Sequence, residues 1–141
     1  MKQDSIAIMI KAASVEFDKL SNQILADYNL THSQFKVLKF ILREPELTVR
    51  QIDIEKFFYM TNPSVTGLLH NLEKKQMIER IPNPQDHRSK VIRLTEKVYE
   101  MEEQLSQIGN TLEERFTQNL NREEKEQLRS LLRKMLGNCV N

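Results

Sequence analysis

Few side chains in this sequence are equipped for covalent or metal chemistry. His32, His70 and His87 are its three histidines and Cys139 its one cysteine. The histidines are widely spaced, and no His-x-x-x-His pair is present to hold a metal from one helix face. A lone cysteine forms no disulfide within the chain and no four-cysteine metal site. Cys139 stands in a C-terminal tail without an electropositive neighbour and reads as an incidental thiol. There is no glycine-rich phosphate loop, no His-Glu-x-x-His and no Gly-x-Ser-x-Gly. These features point away from an enzyme, and no metal or organic cofactor is expected.

The chemistry that remains is ionic and hydrogen-bonding. The 141 residues carry 21 basic and 20 acidic side chains, for a net charge of +1. That total hides a gradient. Residues 1–60 hold eight of each sign, residues 61–94 hold six basic against three acidic, and residues 95–141 hold seven basic against nine acidic. The middle third is the one stretch that offers a surface to a polyanion.

Two groups of residues lie in that third. On a helical wheel of Pro63 to Lys75, Val65, Leu68, Leu69 and Leu72 fall on one side and must pack inward. Asn62, which precedes the helix, joins Pro63, Ser64, Thr66, Gly67, His70, Asn71 and Lys74 on the other side or its flanks. This outer face is short-armed near its N-terminus and basic near its C-terminus. It suits a major groove, where small donors and acceptors reach base edges and a helix N-terminus meets phosphate. A plain amphipathic helix with a solvated face satisfies the same pattern. The second group, His87, Arg88, Ser89 and Lys90, follows Pro82-Asn83-Pro84-Gln85-Asp86, a proline- and Asn/Asp-rich loop. Arginine on a projecting loop is suited to a narrow, electronegative minor groove. Asp86, two residues before Arg88, is placed either to orient that arginine or only to form the turn.

These groups need elements to hold them. Thr31 with Gln34 and Thr48 with Gln51 both read as capping boxes, flanked by the hydrophobic pairs Leu30/Phe35 and Leu47/Ile52. They start helices that end near Pro45 and Phe58. Asn62-Pro63 starts a third helix, giving a helix-turn-helix over residues 48–75. Met77 to Ile81 and Val91 to Leu94 are strand-like and frame the loop as a hairpin. Thr95-Glu96 caps a long helix with the apolar stripe Val98, Met101, Leu105, Ile108, Leu112 and Phe116, and Asn121 to Glu124 starts a last one. Ile6, Ile10, Ala13, Phe17, Leu20 and Ile24 form a comparable stripe at the N-terminus. Both stripes need partner surfaces. The apolar stretch Ile6 to Ile10, bounded by Asp4 and Lys11, is too short for a signal peptide. No run of about 18 apolar residues suggests a membrane span, so a cytoplasmic chain is expected.

The stretch Asp86-His87-Arg88-Ser89-Lys90-Val91-Ile92-Arg93-Leu94-Thr95 fits the pattern Asp-x-Arg, five residues, Leu-Thr. In this it resembles the MarR family of transcription regulators, and Pro63 to Lys75 looks like that family's recognition helix. Gln76 departs from the glycine that usually ends the recognition helix, and Val98 from a glycine that often follows Leu-Thr. The resemblance covers essentially the whole chain. It implies a mainly α fold with a β-hairpin wing, a winged helix-turn-helix. Residues 1–141 would form a single domain, with 31–95 the DNA-binding lobe and 1–30 and 96–141 the helices of a homodimer. It further implies a repressor of a pseudo-palindromic double-stranded DNA operator, with a small aromatic or anionic effector to release it. Phe17, Tyr28, Phe35 and Phe40 are candidates to line an effector crevice, although aromatic residues at such spacing also suit a core. The alternative is a winged-helix protein-interaction module that does not read DNA.

Overall fold

The computed structural model describes residues 5–137, so Cys139 lies outside the described residues. Helix α1 (Ile6–Leu25) is capped by Ser5, whose hydroxyl accepts from the Ile8 N–H at 3.1 Å. A 3-10 turn (Ala26–Tyr28) leads to α2 (His32–Arg43). The expected capping box forms here. Thr31 Oγ1 accepts from the Gln34 N–H at 3.2 Å, and Gln34 Oε1 accepts from the Thr31 N–H at 3.1 Å. Leu30 and Phe35 on either side are buried. Helix α2 lies at the centre of the core and buries Val37, Leu38, Phe40 and Ile41. Each such side chain contributes about 1.5–3 kcal/mol on leaving water.

The second capping box does not form. Helix α3 (Gln51–Phe58) starts two residues later, with Arg50 as its cap. The Asp53 carboxylate accepts from the Arg50 backbone N–H at 2.8 Å and from its guanidinium at 3.1 Å. Thr48 Oγ1 instead donates to the Pro45 carbonyl at 2.6 Å. The physical reason is long-range. The Val49 carbonyl accepts from the Ile92 N–H at 2.8 Å, which ties residue 49 to the hairpin and takes its carbonyl out of the helix. Ile52, expected to staple against Leu47, is exposed.

Helix α4 (Asn62–Lys74) begins one residue before expectation. Thr61 is the cap, its hydroxyl accepting from the Ser64 N–H at 3.3 Å, so Asn62 and Pro63 are the first two helical residues. The helix ends on Gln76 at φ +59°, with the Met77 N–H donating to the Leu72 carbonyl and the Gln76 N–H to the Glu73 carbonyl. This is the left-handed cap that glycine usually supplies. Glutamine is held there because the Thr95 hydroxyl donates to its carbonyl at 2.7 Å.

Strands β1 (Ile78–Pro82) and β2 (Lys90–Leu94) pair antiparallel, with Ile78 opposite Leu94 and Pro82 opposite Lys90. The single helix expected after Thr95 is interrupted. It runs as α5 (Glu96–Glu100) and α6 (Glu102–Phe116), and the Met101 N–H turns back to the Val98 carbonyl. The α5–α6 stripe is not left for a second chain. Val98, Leu105, Ile108 and Leu112 are buried in the core, and Phe116 packs edge-on against Phe17 of α1. Apolar surface is uncovered elsewhere: at Ile6, Met9 and Ile10 of α1, and at Leu128, Leu131, Met135 and Leu136 of α7 (Arg122–Leu136). Helix α7 buries none of its own residues, although its capping box between Asn121 and Glu124 is complete. Among the described residues, no helix is long and apolar enough to cross a membrane.

Candidate nucleic-acid interface

Helix α4 is fixed by its inner face. Val65, Leu69 and Leu72 have no solvent exposure, and Leu68 is buried beside them. Asn62, Pro63, Ser64, Thr66, Gly67, His70, Asn71 and Lys74 are all exposed, as the wheel requires. Several of their polar groups already have partners. Asn62 Nδ2 donates to Glu55 at 3.0 Å, and the Ser64 hydroxyl accepts from Thr61 Oγ1 at 2.8 Å. Gly67 is different. A Cβ built there would meet nothing within 4 Å, so no packing inside the chain demands glycine. Its effect is to leave the helix backbone bare to an outside surface.

The outer face is tied to the hairpin through a residue that the sequence pattern assigned only to a cap. Gln51 Nε2 donates to Thr66 Oγ1 at 2.8 Å, and Arg80 of β1 donates to Gln51 Oε1 at 3.4 Å. Arg80 also pairs with Glu73 of α4 at 2.7 Å. This chain from Thr66 through Gln51 and Arg80 to Glu73 sets the hairpin's angle against α4. The hydrogen bonds span 7 to 29 residues, so no local periodicity signals them. At the start of α3, burial alone would raise the Asp53 carboxyl. The hydrogen bonds from the Arg50 side chain and backbone outweigh it and hold the group below the usual carboxylate value.

The hairpin tip is a closed hydrogen-bond network. The Asn83 N–H donates to the Ser89 carbonyl at 2.9 Å, and the Ser89 N–H to the Asp86 carbonyl at 3.0 Å. Asn83 Nδ2 donates to the Ser89 hydroxyl, which donates in turn to the Asp86 carbonyl, both at 3.1 Å. Ser89 therefore spends its hydroxyl inside the turn. Asp86 Oδ1 accepts from the Arg88 N–H and from Arg88 Nε, while the Arg88 side chain stays 92% exposed. His87 and Lys90 are exposed beside it.

The remaining candidates are not gathered into one place. His32 sits at the start of α2 with Nδ1 2.6 Å from the buried Ser21 hydroxyl, far from the α4 face in its bonding. Among the described residues, no three His, Cys, Asp or Glu side chains are placed to hold a metal ion. Of the aromatic candidates, Phe35 and Phe40 are core residues and Phe17 and Tyr28 are partly buried against the core, with His32 between Phe17 at 5.2 Å and Phe35 at 6.4 Å.

Comparison with known proteins agrees with this architecture. A sequence profile of the MarR family matches residues 30–90. The multiple antibiotic resistance protein MarR of Escherichia coli is 32% identical over 129 residues, covering 91% of this chain and 88% of that protein. The structure of MepR from S. aureus in complex with DNA superposes with a TM-score of 0.86 at 30% identity, covering 96% of this chain and 99% of the other. A cysteine-to-serine variant of E. coli MarR complexed with operator DNA superposes at 0.84 with 30% identity, covering 93% of each. The chain belongs to the MarR family of winged helix-turn-helix transcription regulators.

Proposed function

We propose that this chain is a repressor that binds a pseudo-palindromic DNA operator as a homodimer and has no enzymatic role. The observation that carries this reading is the exposed polar face of α4, bridged through Gln51 and Arg80 to a wing that ends on an exposed arginine. On this reading Asn62, Pro63, Ser64, Thr66, Gly67, His70, Asn71 and Lys74 enter or border the major groove. His87, Arg88 and Lys90 reach the minor groove or its phosphates, Asp86 orients Arg88, and Ser89 keeps the tip closed. Residues 31–95 form the DNA-binding lobe. The bare faces of α1 and α7 meet their copies in the second chain, within a dimerising part formed by residues 1–30 and 96–141 in which α5 and α6 pack against the core. The two E. coli and S. aureus structures with DNA support the choice of ligand. On this reading the chain acts in the cytoplasm, where its DNA would be.

A two-fold dimer presents two copies of α4, so half-sites repeat about 10 base pairs apart or a multiple of that. Footprinting on the DNA upstream of its own gene tests this. Two protected, symmetry-related half-sites are expected. Protection of one asymmetric half-site, or none, contradicts it.

A further inference from the structure

We propose that the cavity between the α2–α3 connection and the wing binds a small organic cation with an apolar body. The cavity has a volume of about 410 Å³, within the range that holds a small ligand. Its floor is apolar, built from Ile41, Leu47, Val49, Ile92 and Leu94. Its charged groups are two carboxylates and one guanidinium. Glu44 and Glu46 line it, and the Tyr99 hydroxyl donates to Glu46 Oε1 at 3.3 Å. The one basic side chain in the lining, Arg93, is turned to Glu79, its partner across the hairpin, and Nε donates to that carboxylate at 3.0 Å. The cavity thus offers carboxylates and an aromatic ring without a free cation to balance them.

That combination selects charge. A cation near Glu46 gains Coulomb attraction, and Tyr99 in the lining supplies an aromatic ring that a cation can approach. An anion of the same size meets two carboxylates and no available guanidinium. Burial first, and then Glu46, Glu102 and Glu96, push the Tyr99 hydroxyl above its ordinary value. An apolar body is required as well, because the floor has no hydrogen-bonding side chain. The lining includes both ends of the Val49–Ile92 hydrogen bond, which joins the start of α3 to the wing. Occupancy is therefore felt where the two DNA-facing elements meet.

The site is tested without DNA, so its failure is distinct from failure of the operator reading. Benzyltrimethylammonium, benzyl alcohol and benzoate are titrated separately into the full chain while methyl resonances are followed by NMR. The cation is expected to shift the Ile41, Leu47, Val49, Ile92 and Leu94 methyls saturably. Benzyl alcohol should bind at least about fivefold more weakly, and benzoate should leave these methyls unmoved. Glu46→Gln should weaken the cation by about fivefold. Glu46 is an exposed loop residue, so this variant keeps the fold, and its titration is read against its own ligand-free spectrum. Equal binding of benzoate, shifts confined to other methyls, or no loss on Glu46→Gln would overturn the proposal.

Discussion

Asp86 Oδ1 accepts two hydrogen bonds from one residue, the Arg88 backbone N–H and its Nε–H, each at 3.1 Å. The carboxylate fixes the base of the arginine while the guanidinium end projects. An exposed pair of this kind adds little to stability. On the proposed function it presents Arg88 to DNA already oriented. Asp86→Ala should therefore weaken operator binding with almost no change in melting temperature. The double variant with Arg88→Ala should bind no worse than Arg88→Ala alone, measured by fluorescence anisotropy. Full additivity would show that the two side chains act separately.

Gly67 sits in mid-helix with open space where its Cβ would be. Alanine there is favoured over glycine by roughly 0.8–1 kcal/mol of helix propensity. Gly67→Ala should raise the stability of the chain and lower its affinity for operator, because the new methyl stands between the helix backbone and the DNA. Thermal unfolding and anisotropy on the same sample check both signs. Unchanged binding would remove Gly67 from the interface.

His32 predicts a pH dependence. Burial first, and then the nearby Lys36 charge, lower its pKa from the ordinary 6.5, with Asp18 opposing. The unfolded chain therefore binds the proton more readily than the folded one. The stability contributed by neutral His32 is present above pH 6.5 and is lost as pH falls below it towards the folded value. Lowering pH from 7.5 to 5.5 should reduce the melting temperature of the parent more than that of His32→Gln. Equal decreases would show that His32 titrates alike in both states.

The α7 face of Leu128, Leu131, Met135 and Leu136 is left exposed by the described residues of the chain. Obligate dimers bury on the order of 2,000–5,000 Å². A carboxylate in the middle of such a face is left unpaired on association. Leu131→Asp should shift sedimentation from dimer to monomer at micromolar concentration while the DNA-binding lobe stays folded. A parent chain that already sediments as a monomer would contradict the dimer.

Legibility in the sequence followed the range of the interactions. Thr31 with Gln34 and Asn121 with Glu124 interact within one turn, and the residue types alone announced them. The inner and outer faces of α4 were legible because period 3.6 sorts Leu69 and Leu72 from His70 and Lys74. Thr48 looked like a cap of equal quality, yet the Val49–Ile92 hydrogen bond moved the helix start to Arg50. The α5–α6 stripe was visible, but its covering surface on α1 and α2 was not. The local pattern at Gln51 is that of a capping residue, whereas its side chain joins α4 to β1 across 15 and 29 positions. A strong local pattern therefore located the candidate interface, and only the tertiary hydrogen bonds showed how its two halves are held together.

On the proposed function, α4 reads sequence and the wing binds DNA of any sequence. The direct measurement is affinity for operator and for scrambled DNA over a salt series, with the parent, His70→Ala and Arg88→Ala. His70→Ala should cost roughly 1–3 kcal/mol on operator and relax preference at one position per half-site. Arg88→Ala should weaken both DNAs together and lower the slope of log K against log salt by about 0.9 for each phosphate that Arg88 neutralises in the parent. If Arg88→Ala binds both DNAs as the parent does, with an unchanged salt slope, the wing does not touch DNA and the account fails.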